Sequence, residues 1–158
     1  MGAWYIGGMR KSSFALVAVV LFSLPLLAEK KVVVNPPEFA PAAGAPAPMF
    51  SPGILVDGTL YISGQIGQDL KTKQVPDDFE AEVKQVLDNI GIILKAAGMS
   101  YKDVVAVQVY LTDMDLFGKM NGVYGKVFAE PRPSRTTVGV TKLANAKARI
   151  EVTVTAHK

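Results

Sequence analysis

An α+β fold is what this sequence predicts: strands and helices in the order β-β-α-β-α-β-β, with two helices on one face of a mixed sheet. Three observations carry that expectation. An Asp57-Gly58 pair sits between two short apolar runs, two segments repeat apolar residues at three- and four-residue steps, and β-branched strands follow each of them. A chain of 158 residues holds one such domain and an appendage.

The appendage comes first. Arg10 and Lys11 precede an apolar run from Phe14 to Leu27, and Ala28 ends a cleavage site, so residues 1–28 read as a secretory signal. The run is short against the roughly 20 residues of a membrane span, and no cysteine is present to take a lipid. Cleavage after Ala28, a periplasmic or secreted location and no stable membrane insertion afterwards are the resulting expectations. Residues 29–49 carry Asn35-Pro36-Pro37 and repeated Ala-Pro pairs, which resist helix and favour extended forms, so they read as a linker or an arm over the domain surface. The domain proper is placed at 50–158.

Within it, Ile54-Leu55-Val56 and Leu60-Tyr61-Ile62 flank Asp57-Gly58, whose residues tolerate the positive φ angles of a tight hairpin. Ser63-Gly64-Gln65 ends the second strand. Asp78 is placed to cap a helix, with Glu80 and Glu82 favourable in its first turn. Phe79, Val83, Val86, Ile90 and Leu94 form its core stripe, and Gly98 stops it. Val104 to Leu111 is apolar at nearly every position and reads as a buried strand. Thr112 or Asp113 opens a second helix bearing Leu116, Met120, Tyr124 and Val127, which Glu130-Pro131-Arg132-Pro133 breaks. Thr136–Val140 and Ile150–Ala156 are the last strands. In the final one Glu151, Thr153 and Thr155 share one face and Ile150, Val152 and Val154 the other. With both helices on one side, the opposite face needs cover, and self-association supplies it most economically.

Composition narrows the chemistry. The absence of cysteine excludes disulfides, thiolate nucleophiles and cysteine metal sites, and the single histidine, His157, cannot furnish a multi-histidine metal centre. No metal and no cofactor are expected. The formal charge of +3 includes Arg10 and Lys11; without them 15 basic side chains face 14 acidic ones, so a nucleic-acid partner is not expected.

Four features suit chemistry on residue type. Arg135, in Pro133-Ser134-Arg135-Thr136-Thr137, can grip a carboxylate with two parallel hydrogen bonds, aided by the Thr137 hydroxyl and nearby N–H groups. A structural salt bridge is the commoner use of such an arginine. Glu151 is the sole carboxylate of its strand and suits proton transfer to or from water; a solvent-facing glutamate is the alternative. Asn121 is a modest helix former whose place in a helix suggests a side-chain contact, or merely exposure. Gly64, in Ser63-Gly64-Gln65, permits a close approach by ligand or backbone, or merely ends a strand.

Taken in order, these segments resemble the Rid (YjgF/RidA) family of enamine/imine deaminases. Leu60-Tyr61-Ile62-Ser63-Gly64-Gln65-Ile66, Val109-Tyr110-Leu111-Thr112-Asp113-Met114, Asn121-Gly122-Val123-Tyr124, Pro133-Ser134-Arg135-Thr136-Thr137-Val138 and Ile150-Glu151-Val152 are similar to its motifs, over about Ala40 to Ala156. The resemblance implies a chorismate-mutase-like, RidA-type unit assembled as a homotrimer with sites between neighbours. It implies that Arg135 binds a substrate carboxylate, that Glu151 handles the hydrolytic water, and that Ser63, Gly64, Asn121, Thr137 and Phe50 line the pocket. The implied reaction is hydrolysis of reactive 2-imino acids to 2-keto acids and ammonia. Three positions depart from the family pattern: Phe50-Ser51 replaces Tyr-Ser, Thr137 stands where many members have cysteine, and Ala144-Asn145 replaces Pro-Lys in a loop one residue longer before Glu151. A small-carboxylate binding module on the same trimer is the alternative, and an endoribonuclease a weaker one.

Overall fold

The computed structural model describes Gly2, residues 30–41 and residues 43–158; the signal read over residues 1–28 lies outside them, Gly2 apart. Six strands form one sheet: β1 (Val32–Val34), β2 (Gly53–Val56), β3 (Thr59–Ile66), β4 (Val104–Leu111), β5 (Ser134–Gly139) and β6 (Ile150–His157). Their order across the sheet is β1-β2-β3-β6-β4-β5. All neighbours are antiparallel except β4 and β5, which are joined through a crossover helix as parallel strands require. The helices are α1 (Phe79–Ala96) and α2 (Phe117–Val127), and no helix among the described residues is long and apolar enough to cross a membrane.

The expected α+β order holds, with one strand added in front. Val32-Val33-Val34, inside the stretch read as an arm, pairs with Leu55-Ile54-Gly53. Three β-branched residues suit an edge strand, but a run that short shows no periodicity and is easily lost beside the Pro/Ala-rich segment. Val34 and Pro36 are buried, so this part of the arm is fixed to the domain.

The Asp57-Gly58 turn has φ of 49° and 70°, the two left-handed residues that a tight hairpin demands. In α1 the Asp78 carboxylate accepts from the Ala81 N–H at 2.8 Å, and Gly98 ends the helix at φ 70°. Asp113 caps a short 3-10 turn, Met114–Leu116, that runs into α2. The α1 stripe and the alternate residues Val107, Val109, Ile150, Val152 and Val154 of the central strands make one core. Among the described residues nothing covers the opposite sheet face, where Tyr61, Val105 and Val138 stand exposed.

Glu82 lies in the first turn of α1 as expected and does more there: its side chain is wholly buried. Its carboxylate accepts from the Arg149 backbone N–H and Nε–H, both at 2.7 Å, and from the Ile150 N–H at 3.4 Å. Arg149 also donates to the Pro76 carbonyl at 2.9 Å and lies 5.4 Å over the Phe79 ring. A Cβ on Gly67 would stand 2.3 Å from Glu82 Cγ, so only glycine leaves room for that side chain.

Two expectations follow. Glu82→Ala strands three donors and a half-covered guanidinium, and should lower unfolding stability by about 3 kcal/mol in urea titration. Tyr101 donates to the Leu87 carbonyl and meets Phe128 edge-on at 5.4 Å; burial pushes its phenol from 10.0 to about 12. A raised folded pKa favours the neutral form, so this contribution is complete below pH 10 and is lost as pH rises through about 12. Unfolding midpoints measured across that window should fall more steeply for the wild type than for Tyr101→Phe.

Candidate functional site

The pleat of the sheet divides the expected site residues into two groups. In the parallel β4–β5 pair, Val107 faces Arg135 and Val109 faces Thr137. Both valines are buried beneath the helices, so Arg135 and Thr137 point to that side too. In the β4–β6 pair Glu151 lies opposite Tyr110 and alternates with the buried Ile150 and Val152, which places it on the uncovered face.

On the helix side, the Arg135 guanidinium carbon sits 4.6 Å from the Tyr124 ring centre and 5.6 Å from that of Phe117, with Nη1 3.9 Å from Met120 Sδ. Ring faces hold a guanidinium while leaving its in-plane N–H donors free. The salt bridge that arginines commonly form is absent here: among the described residues Arg135 has no carboxylate partner, and the adjacent Arg132 is paired with Glu130. A hollow of about 450 Å³ opens here, lined by Asn121, Tyr124, Gly125, Arg132, Pro133 and Arg135. The Tyr124 hydroxyl and Thr137 Oγ1 are buried with no hydrogen-bond partner within the protomer. Each such group costs about 1–3 kcal/mol unless something outside the protomer meets it. Burial pushes the Tyr124 phenol up, against the opposing field of Arg135, so at neutral pH it is a donor.

On the uncovered side, Glu151 lies across Gly64, where a Cβ would stand 1.9 Å from Oε1. Glycine is required there for close approach and not for an unusual φ. Phe50, Ser63, Gly64, Gln65, Asn145 and Glu151 share a second hollow of about 540 Å³ with several neighbours. The Ser63 hydroxyl donates to the Ser51 carbonyl at 2.6 Å and its N–H to the Pro52 carbonyl at 3.0 Å. Its proton is thus committed to holding the Phe50–Pro52 segment, leaving Phe50 itself 63% exposed. Buried Asn89 donates to the carbonyls of Ile66 and Gln68 at 3.1 and 2.9 Å, accepts from Gln85 at 2.9 Å, and fixes the floor. Two residues before Glu151, Arg149 is clamped by Glu82, which fixes where the loop enters β6.

One protomer therefore gathers Arg135, Asn121 and Thr137 on one side of the sheet and Glu151, Phe50, Ser63 and Gly64 on the other. It does not bring the two groups together. Tyr124, Glu82, Gln65 and Asn89 were not singled out by sequence reasoning. Tyr124 sits in a helical apolar stripe, and nothing in a stripe shows that a hydroxyl ends unpartnered beneath an arginine.

Comparison with known proteins identifies the family and the fold. Residues 40–158 match the family model described as Endoribonuclease L-PSP. A RutC family protein of Pyrococcus horikoshii is 44% identical over 117 residues, 72% of this chain and 92% of that protein. The 2-iminobutanoate/2-iminopropanoate deaminase of Bos taurus is 43% identical over 114 residues, 72% of this chain and 80% of that protein. The crystal structure of RidA from the Antarctic bacterium Psychrobacter sp. PAMC 21119 superposes with a TM-score of 0.71 at 34% identity, covering 79% of this chain and 98% of that one.

The Gly64–Glu151 contact is directly testable. Gly64→Ala should cost about 1–3 kcal/mol of unfolding stability through overpacking, and most of that cost should vanish in a Glu151→Ala background. A double-mutant cycle in urea measures the coupling; an unchanged cost would mean that the two groups do not meet.

Proposed function

The chain belongs to the Rid (YjgF/RidA) family, and from that membership we propose that it hydrolyses reactive 2-imino acids to 2-keto acids and ammonia, in sites formed between subunits of a homotrimer. One observation carries the reading. Among the described residues, a guanidinium and a carboxylate that each lack an ion-pair partner lie on opposite faces of one sheet, each in its own hollow. Two halves of a site turned away from each other in one protomer are completed by a neighbour, and a symmetric closed assembly supplies the same completion to every copy. The exposed apolar residues of the uncovered face are buried by the same association.

The chemistry uses the chain's own side chains. Arg135 of one subunit holds the substrate carboxylate by two parallel hydrogen bonds and so orients the adjacent C=N carbon. Asn121 of that half lines the same hollow and offers its amide to the ligand, with Tyr124 and Thr137 packed beneath the arginine. From the neighbouring half, Glu151 accepts a proton from a water that attacks the carbon. The resulting carbinolamine regains its C=O as the C–N bond breaks, and the nitrogen leaves as ammonia with the protons of the imine and the water. The deaminase name of the bovine relative supports the same reaction class.

A second reading has a specific observation behind it. Phe50 brings no phenol to the Glu151 hollow, and the Ser63 proton is already used, so a module that binds small carboxylates without turnover fits the same geometry. Ribonuclease activity, the word in the family's description, finds less support: His157, the only histidine, is hydrogen-bonded to Thr59 at 3.0 Å. Export through the leader would give such an enzyme access to imines formed outside the cytoplasm.

Imines generated in situ by an amino-acid oxidase provide the assay. Arg135→Ala and Glu151→Gln should each lower kcat/KM about 100-fold. Mixing and reassembling the two inactive variants in equal amounts should restore about one quarter of the wild-type sites, because a site drawing its halves from different subunits becomes intact in that fraction of pairings. No hydrolysis above background by wild-type protein, with ligand binding retained, selects the binding module.

A further inference from the structure

The hollow around Glu151 is larger than a three- or four-carbon acid needs, and its lining is uneven. Polar groups at Ser63, Gln65, Gln68 and Glu151 share it with an apolar set, Phe39, Phe50, Ile66 and Leu70, of which Ile66 pairs with Glu151 across neighbouring strands. Phe39 reaches the hollow from the N-terminal arm. It lies in a 3-10 turn, Pro37–Phe39, closed by its N–H to the Pro36 carbonyl at 3.0 Å and by the Ala40 N–H to the Pro37 carbonyl at 3.1 Å. The turn follows directly on β1, whose pairing with β2 fixes the arm, and Phe39 packs against the main core. The aromatic ring is thus a fixed part of the wall.

We propose that this apolar wall is a side-chain subsite, and that Phe39 of the arm makes the enzyme prefer 2-imino acids with large apolar side chains, such as the imine of leucine, over 2-iminopropanoate. The inference rests on the deaminase reading for its reaction, though not for its binding preference. With the carboxylate on Arg135 of a neighbour and the C=N carbon beside Glu151, the side chain is the part of the substrate left to enter this hollow. Apolar walls discriminate by the surface they remove from water, about 10- to 200-fold for each methylene well buried. Lys73 is the one cation lining the hollow among the described residues. It is exposed, at φ 61° in the Asp69–Gln74 turn, and makes a second carboxylate the competing occupant.

The test compares kcat/KM for imines generated from leucine and from alanine, with calorimetric binding of 4-methyl-2-oxopentanoate, pyruvate and 2-oxoglutarate in parallel. Wild-type protein should favour the leucine imine at least tenfold and bind 4-methyl-2-oxopentanoate most tightly. Phe39→Ala should lower both ratios about tenfold, and Phe39→Leu should largely restore them. Phe50→Ala, at an exposed position, repeats the test should Phe39→Ala fail to fold. Ratios near one in wild-type protein, ratios unmoved by both alanine variants, or preference for 2-oxoglutarate would overturn the inference. Absence of all turnover with the binding ratios intact would reject the deaminase reading and leave the subsite standing.

Discussion

The structure turns on a carboxylate inside its core. Glu82 joins α1 to the start of β6 through one side-chain and two backbone donors, with Arg149 stacked over Phe79 and tied to Pro76. Buried pairs are weak contributors when compared with apolar substitutes, but their directionality admits few alternative arrangements. Here the direction fixed is that of β6. A slip of one residue would turn Glu151 into the core and Ile150 out of it. The clamp at Arg149 adds a polar constraint to the apolar alternation of Ile150, Val152 and Val154.

A pleated sheet offers two faces, and this protein places half of its candidate chemistry on each. Arg135 and Thr137 take the parity of the buried Val107 and Val109, and Glu151 takes the parity of Tyr110. No rotamer change brings the two together through a packed sheet. Among the described residues the hydroxyls of Tyr124 and Thr137 have no partner and the Arg135 guanidinium has no carboxylate. With the exposed Tyr61, Val105 and Val138, these are the features on which the proposed association rests.

Much of this was legible in the sequence because its signals are local. The Asp57-Gly58 hairpin follows from two adjacent residues that tolerate positive φ, α1 from a stripe with a capping aspartate, and β6 from strict alternation. Arg135, Glu151 and Gly64 stand out as candidates by residue type in context. What stayed hidden depends on pairs far apart in the chain. Glu82 sits where an ordinary first-turn acid belongs, and its burial is decided by Arg149, 67 residues away. β1 is three valines beside a proline-rich run, fixed by β2 and not by any pattern of its own. The parity that separates Arg135 from Glu151 comes from the pairing of β4 with two strands, which neither strand reveals alone.

The strand order also bears on how the protein is made. β6 is the last strand to leave the ribosome, yet it lies in the middle of the sheet, between β3 and β4. While synthesis proceeds, β3 and β4 each wait with one edge unfilled and without the core side chains of Ile150, Val152, Val154 and Ala156. Closure of the sheet must therefore wait for residues 150–157, since no earlier fragment fills the gap between β3 and β4. A sheet built this way stays open until its sixth strand arrives between the two that wait for it.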